Sequence, residues 1–358
     1  MKFVHIADLH LDSPFTILTE KMNIGEQRRI EQYIALKEVI EYIKEHAIDY
    51  LFISGDLYEN DYIKKSTIEY MNSLFEEIQN TKIFISPGNH DPYIKGSPYD
   101  IFDFSPNVYI FKSNSIEKYE DGDVVIYGSA FTGFHRHDNP LDNIDELDNT
   151  KTNILLLHCD LNGAKNKNEM GYLPINESKL KSLKFDYCAL GNIHKKYIND
   201  DSSIVYPGSL ISFGFDELGK HGMVVGTIDN HFVSTQFVKV DNREFIELPI
   251  EVSDYNGVMQ IIESINQQPL IDINLYKIIL CGKRNFELDI KTIKNNLEFA
   301  NILKIEDMTQ REYNIEQISK EQSLKGAFIR RVIELNRAGS ITQDQMNKMI
   351  EIGLEAMN

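Results

Sequence analysis

Five short segments place Asp, His or Asn directly after apolar runs. They are Asp8-Leu9-His10, Gly55-Asp56, Gly88-Asn89-His90-Asp91, His158 and Gly191-Asn192-Ile193-His194. Carboxylate and amide oxygens suit hard cations, and imidazole suits borderline ones. The set holds more such donors than one ion needs, and it suits a pair of divalent cations. Two cations ~3.5–4 Å apart can clamp the attacking and leaving oxygens of a displacement and lower the pKa of a bound water toward ~7. Each segment alone is weak. Asp-x-His is common by chance, Gly-Asp after a strand usually makes a turn, and a lone histidine is more often a satisfied core or surface residue. Order and placement together carry the reading.

Placement comes from the runs themselves. Residues 3–7, 50–54, 83–86, 154–157 and 187–190 are rich in Ile, Val, Phe, Leu and Tyr. Such runs read as buried strands. In open α/β sheets, ligands bind outside the carboxyl ends of the strands, so the five polar clusters converge on one rim. Between the runs, Ile30, Ile34, Leu36, Ile40 and Ile43 predict one amphipathic helix, and Ile68, Met71, Phe75 and Ile78 another. Strands and helices alternate in this way to about residue 240, as α/β layers do. Polar residues from Lys165 to Pro174 predict an exposed loop after His158.

After Val240 the pattern changes. Residues 244–252, 258–265, 275–280 and 293–297 suggest a small α+β unit. Leu324, Phe328, Val332 and Leu335 then form a helical stripe closed by Gly339. Thr342 is placed as an N-cap, with Gln345 at the capping-box position and Ile341 stapled to Met346. Met346, Met349, Ile350, Gly353 and Met357 form a second stripe. Such helices either dock on their own domain or bind a partner, and the pattern leaves both open.

The order D-x-H, G-D, G-N-H-D, H, G-x-x-H resembles the calcineurin-like metallophosphoesterases. Residues 7–15 (ADLHLDSPF) and 205–222 (VYPGSLISFGFDELGKHG) resemble, within that family, the branch of SbcD/YhaO-type DNA-repair exonucleases. The resemblance implies an α/β fold, a four-layer αββα metallophosphoesterase sandwich over residues 1–240. A small α+β capping domain (241–315) and C-terminal helices that bind a partner (316–358) would follow. It implies hydrolysis of DNA phosphodiesters with two divalent metals. Asp56 would bridge them, Asp8, His10 and His194 would complete the first site, and Asn89, His158 and position 192 the second. His90 would stabilise the transition state or protonate the leaving oxygen, as imidazole can near neutral pH. Glu59 stands where some relatives carry a group that supports this histidine; a solvated turn carboxylate is the other reading. Asp12 and Asp91 carry no assigned role.

One position departs from the pattern. The family usually has Gly-His-x-His, and here Asn192 replaces an imidazole with an amide. An amide oxygen is the harder donor, which favours manganese or magnesium over zinc. The partners implied are DNA and an SbcC-like or YhaN-like ATPase engaged by the C-terminal helices. Two other readings compete: a same-fold enzyme for small phosphodiesters, nucleotides or phosphoproteins, and a structural subunit whose site has begun to decay at Asn192.

Composition bounds these readings. The chain has 358 residues and a formal net charge of −18, awkward for a DNA enzyme, which usually carries a basic patch. Basic clusters remain at Arg28-Arg29, Lys64-Lys65, His135-Arg136-His137, Lys165 with Lys167, and Lys195-Lys196. Lys195 and Lys196 are the best substrate contacts because they follow His194. The global acidity implies that a partner or a second subunit, a homodimer included, supplies much of the phosphate attraction. Cys159, Cys188 and Cys281 show no metal-knuckle spacing and no disulfide framework, which points to the cytoplasm. No apolar run approaches the ~20 residues that span a bilayer, so no membrane role is expected.

Overall fold

Each of the five apolar runs is a strand, and their carboxyl ends are aligned by register. The computed structural model of the chain describes residues 1–15, 24–144, 146–162 and 172–357. They form two compact units, Met1–Ile246 and Glu247–Asn358. In the first unit, β1 (Lys2–Ile6), β2 (Tyr50–Ile53), β3 (Lys82–Ile85) and β4 (Val108–Ile110) run parallel in one sheet. A second sheet contains β5 (Glu117–Asp121), β6 (Val124–Gly128) and β7 (Thr152–His158). The short β8 (Asp160–Leu161) and β9 (Pro174–Ile175) pair with each other. Then β10 (Tyr187–Gly191), β11 (Tyr197–Ile198) and β12 (Ile204–Tyr206) complete the second sheet, and β13 (Gly222–Asp229) and β14 (Phe232–Lys239) return to the first. The strand orders are β14-β13-β1-β2-β3-β4 and β11-β12-β10-β7-β6-β5. Ile6 pairs with Ile53 and Ile53 with Ile85, while His158 pairs with Gly191. The chain therefore leaves β1, β2 and β3 at one level, and β7 and β10 at one level of the other sheet.

The sheets lie face to face. Phe3, Tyr50, Phe52 and Phe84 of the first pack with Ile126, Ile154, Leu156, Tyr187 and Val205 of the second. Alternation along a strand sends the intervening residues to the other face. Leu51 and Ile53 thus point to the outer face, crossed by the helices Ile24–His46 and Lys65–Glu76 that link the parallel strands. Leu155, Leu157, Cys188 and Leu190 point outward from the second sheet, against Leu141, Leu173, Leu180 and Phe185. Leu180 belongs to the helix Glu177–Leu183. This is the αββα sandwich. Central strands are buried on both faces, which is why their sequences are continuous apolar runs rather than alternating ones.

The helix Ile24–His46 departs from the expected stripe. Ile30 and Ile34 are exposed, and Arg28 and Gln32 point inward with Leu36, Val39, Ile40 and Ile43. Each polar residue has a partner that hydrophobic spacing cannot reveal. The Arg28 guanidinium meets the Asp241 carboxylate at 2.8 and 3.1 Å and donates to the Ser212 carbonyl at 2.7 Å. The Gln32 amide donates to the Leu9 and His10 carbonyls at 2.8 and 2.7 Å. Half of the expected Arg28-Arg29 basic patch is therefore buried. The loop expected around Lys165 and Lys167 lies outside the described residues as far as residue 171.

In the second unit, β15 (Phe245–Glu251), β16 (Leu275–Cys281), β17 (Lys283–Arg284), β18 (Ile302–Asp307) and β19 (Gln310–Arg311) surround the helices Val258–Asn266 and Ile290–Asn295 in sequence. β15, β16 and β18 form one sheet, and β17 pairs with β19. The helices Leu324–Arg337 and Gln343–Ala356 bury Ile329, Val332, Ile350 and Leu354 in a core shared with Ile315 and Ile318. Leu324 is 76% exposed and Met349 faces outward, so Ile329 and Leu354 take the inward places expected of them. The capping box is present: Gln345 N donates to Thr342 Oγ1 at 3.2 Å, and Thr342 N to Gln345 Oε1 at 2.9 Å. No described helix is long and apolar enough to cross a membrane.

Candidate metal centre

The loops that leave the strands turn through left-handed backbone. Asp8, His10, Asp56 and Asn192 have φ of 52°, 48°, 51° and 94°. Such conformations cost on the order of 1–3 kcal/mol each in non-glycine residues and persist where surrounding structure enforces them. Here the loops enforce one another. Asp8 N donates to Gly55 O at 3.1 Å, His10 N to Asp56 O at 2.9 Å, and Asn60 N to His90 O at 2.9 Å. Asn192 N donates to the Asp8 carboxylate at 3.0 and 3.2 Å. Asp91, fully buried, accepts from Asp56 N, Leu57 N, Gly88 N and the Tyr99 hydroxyl at 2.6–3.0 Å. Asp12 braces the first loop by accepting from the Tyr33 and Thr67 hydroxyls and from Lys64 N. Gly88 stands so close to Asp56 that a Cβ there would lie 2.2 Å from Oδ1.

Among the described residues, three overlapping groups of metal-capable donors result: Asp8, His10 and His194; Asp8, Asp56 and His158; and His10, Asp56 and His90. Within each group the donor atoms lie within 4.8 Å of one another. Asp56 Oδ2 is 3.2 Å from His158 Nε2 and 3.7 Å from His10 Nε2, so one carboxylate oxygen lies near both imidazoles. Asn89 Oδ1 is 3.0 Å from His158 Nε2. The structure thus brings together Asp8, His10, Asp56, Asn89, His158 and His194. Asn192 joins them through its main chain, and Lys195 and Lys196 are exposed just beyond.

The ring nitrogens show what this donor set fits. His10 Nδ1 is 2.7 Å from Glu59 Oε1, His194 Nδ1 is 2.5 Å from Glu217 Oε1, and His158 Nδ1 is 2.9 Å from the Ser54 carbonyl. Each of these partners accepts, so each neutral ring carries its proton on Nδ1 and presents a lone pair at Nε2. The Nε2 atoms of His10 and His194 lie 3.2 Å apart. Two lone pairs at that separation repel unless positive charge lies between them. His158 Nε2 faces the oxygens of Asp56 and Asn89 in the same way. Proton affinities agree. Burial opposes charge on His158, but Asp56 and Asp8 push it up to about 9. Burial also opposes charge on His194, but Glu217 and Asp8 push it up to about 9. Burial would raise Asp56, yet His158, His10 and His90 hold it well below the usual carboxylate range. The residues present therefore fit divalent cations, which would supply the charge that the carboxylates demand.

His90 is placed differently. Its side chain is 44% exposed, its Nδ1 is 2.9 Å from Glu59 Oε2, and its main-chain N–H donates to Asp56 Oδ1 at 2.9 Å. Burial lowers its pKa, but Glu59 and Asp56 raise it above the ordinary histidine value. Burial would raise Glu59, but its bonds to His10 and His90 bring it to about 2. Glu59 thus spans His10 and His90, and its contact with His10 is not expected from sequence. Sequence reasoning also misses Glu217. It lies 23 residues beyond His194 and is met only in space. Its presence in the family-like stretch 205–222 is the one signal that sequence offers. Of the other basic clusters, Arg136 is buried and donates to Ser129 Oγ and Ala130 O, and Lys65 pairs with Glu69.

Residues 1–196 match the calcineurin-like phosphoesterase family. The chain is 22% identical over 275 residues to YhaO of Bacillus subtilis (strain 168), described as an uncharacterized metallophosphoesterase; the match covers 74% of this chain and 66% of that protein. Among solved structures, TT1561 of Thermus thermophilus is similar at 13% identity and a TM-score of 0.40, over 66% of this chain and 98% of that one. Purple acid phosphatase PPD1 from yellow lupin (Lupinus luteus) seeds is similar at 14% identity and a TM-score of 0.39, over 66% of this chain and 51% of its own. With more than half its length matched, the chain belongs to the calcineurin-like phosphoesterase family, hydrolases of phosphate esters that work with divalent metals.

Proposed function

We propose that the chain is a manganese-dependent DNA nuclease of the cytoplasm, exonuclease or endonuclease, that works with an ATPase partner. One observation carries the two-metal part: one Asp56 carboxylate oxygen lies within 3.7 Å of both His10 Nε2 and His158 Nε2, as a residue shared by two cation sites must. The amide oxygens of Asn89 and Asn192 are hard donors and favour manganese or magnesium over zinc. Two bound cations would polarise the phosphodiester and supply a hydroxide nucleophile near neutral pH. The chain's own residues do the rest. Asp8, Asp56, Asn89 and the three Nε2 atoms fix the donor positions, and Glu59, Glu217 and Ser54 fix the rings. His90 stands exposed at the rim, where Glu59 at 2.9 Å favours its protonated form, and would give a proton to a departing alkoxide. The likeness of residues 205–222 to the exonuclease branch supports DNA as substrate, and the C-terminal helices support an SbcC-like or YhaN-like partner. The net charge of −18 instead favours a same-fold enzyme for small phosphodiesters.

A nuclease assay on single- and double-stranded DNA beside bis(p-nitrophenyl) phosphate, with metal analysis of the same protein, tests the proposal. Manganese-dependent cleavage of DNA supports it. Cleavage of the aryl diester alone selects the small-substrate reading, and no cleavage of either selects a structural role.

A further inference from the structure

The metal centre opens on one side into a cleft of about 880 Å³. Asn192 and His194 of the centre belong to its lining, together with Lys195, Lys196, Phe215, Leu218 and Lys220. In a chain with a net charge of −18, three lysines gather here beside the phosphodiester chemistry. The acidic residues of the lining are Asp216 and Glu217, and Glu217 is turned to His194 and Ser209. Lys196 Nζ rests 4.4 Å from the Phe237 ring. Lys195 and Lys220 are exposed, and among the described residues neither has an ion-pair partner. The apolar side is also ordered: Phe215 meets Phe245 edge-on at 5.1 Å, and Leu218 is 46% exposed.

We propose that this cleft binds a single-stranded polynucleotide flanking the scissile phosphate, with backbone phosphates against Lys195 and Lys220 and a base against Phe215 and Leu218. The inference rests on the nuclease reading above and adds where, and in which form, the strand is held. The lining offers both cations and apolar surface, as a strand offers both phosphates and bases. A duplex keeps its bases stacked inside and presents no face to Phe215, whereas an unpaired base does. A small aryl diester has only the phosphate at the metals and leaves the lysines without anions. The volume lies in the ~300–1,000 Å³ range that drug-sized ligands fill, enough for a short stretch of strand rather than a helix.

Anisotropy of a labelled oligothymidylate, measured over a salt series with chelator present, tests the cleft without requiring turnover. Lys220→Ala should weaken binding and reduce the slope of log affinity against log salt by about 0.7, the value for one phosphate contact on a single strand. Phe215→Ala should weaken binding about 5- to 150-fold with the slope unchanged, from a stacking contribution of ~1–3 kcal/mol. Should alanine there unfold the loop, Phe215→Leu keeps apolar packing on Phe245 and still removes the ring face. Hydrolysis of the same oligonucleotide in manganese is scored in parallel. Binding that depends on Lys220 and Phe215 without any hydrolysis would support the cleft while overturning the nuclease reading. Wild-type affinity and salt slope in Lys220→Ala, with wild-type affinity in Phe215→Leu, would overturn the cleft. Tighter binding of duplex than of single strand would overturn it too.

Discussion

Replacing Glu217 by glutamine asks whether the centre is held from outside its own ligands. The Glu217 carboxylate accepts from His194 Nδ1 at 2.5 Å, from Phe213 N at 3.0 Å and from Ser209 Oγ at 3.1 Å. All three partners are donors, and a carboxylate can serve them together. Glutamine has one acceptor oxygen and one donor NH2. With the NH2 toward His194, the imidazole must move its proton to Nε2 or turn away, and the lone pair is lost to the cation. With the NH2 toward Phe213, that main-chain N–H loses its acceptor; Ser209 can turn, because it also meets His221 Nδ1 at 2.9 Å. The first arrangement keeps Phe213 N and Ser209 Oγ both paired with the amide oxygen, so it is the favoured one, and it is the one that weakens the metal site. A hydrogen bond to a charged group contributes about 1.5–3 kcal/mol. Losing the outer partner of a metal-bound histidine typically costs about 10–100-fold in affinity, or ~1.4–2.8 kcal/mol, and the two ranges agree. The expected result is a manganese affinity about 10–100-fold weaker at the site that includes His194, in a protein whose circular dichroism is unchanged. Calorimetric titration reads it directly. An unchanged manganese titration in folded Glu217→Gln protein would refute the reasoning.

Metal binding should release protons. His158 and His194, raised to about 9 from the ordinary 6.5, are protonated near neutral pH in the metal-free chain, so cations should displace about two protons and bind more tightly as pH rises toward 9. Calorimetry in buffers of different ionisation heat counts them, and a count of zero would contradict the site. The same raised values stabilise the metal-free fold fully below pH 6.5, and that contribution is lost as pH climbs through 9, so its melting temperature should fall over this window. His90→Ala should retain metal by elemental analysis but lose ~10²–10⁴-fold in kcat. Asn192→His should lower the manganese needed for half-maximal rate, since its left-handed backbone at φ 94° is one that histidine tolerates better than most residues; an unmoved titration curve counts against Asn192 facing a metal. Truncation from about residue 318 should leave aryl diester hydrolysis intact and abolish co-purification with the proposed ATPase partner, whereas loss of the whole fold would point to tail helices that serve the chain itself.

Much of the sandwich is legible in sequence because parallel strands buried on both faces leave uninterrupted apolar runs. The residues after them, such as Asp8 after Ile6 and His158 at the end of β7, then fall at the rim. The capping box at Thr342 and Gln345 is legible because both partners lie within one helical turn. The misreadings share one cause. Ile30 and Ile34 look like core because they are apolar, and Arg28 looks like a basic patch, but Asp241 lies 213 residues away and only the fold delivers it. Asp91 and Glu217 likewise act through main-chain groups and a ring brought from other loops. Residue type suggests that they are acidic neighbours and nothing about whom they hold.

A strand binding in this lysine-lined cleft of an acidic chain would also show unusual kinetics of encounter. The Debye length is about 30 Å at 0.01 M salt and about 8 Å at 0.15 M. At the lower salt an approaching polyanion feels the whole surface, whose formal charge is −18, before it feels three lysines. At the higher salt the distant acids fade and the nearby lysines remain. Association should therefore speed up as salt is first added, although each phosphate–lysine contact weakens and the complex dissociates faster. Rate and affinity would then move in opposite directions with ionic strength. A uniformly basic nucleic-acid binder, whose association slows as its affinity falls, would show no such split.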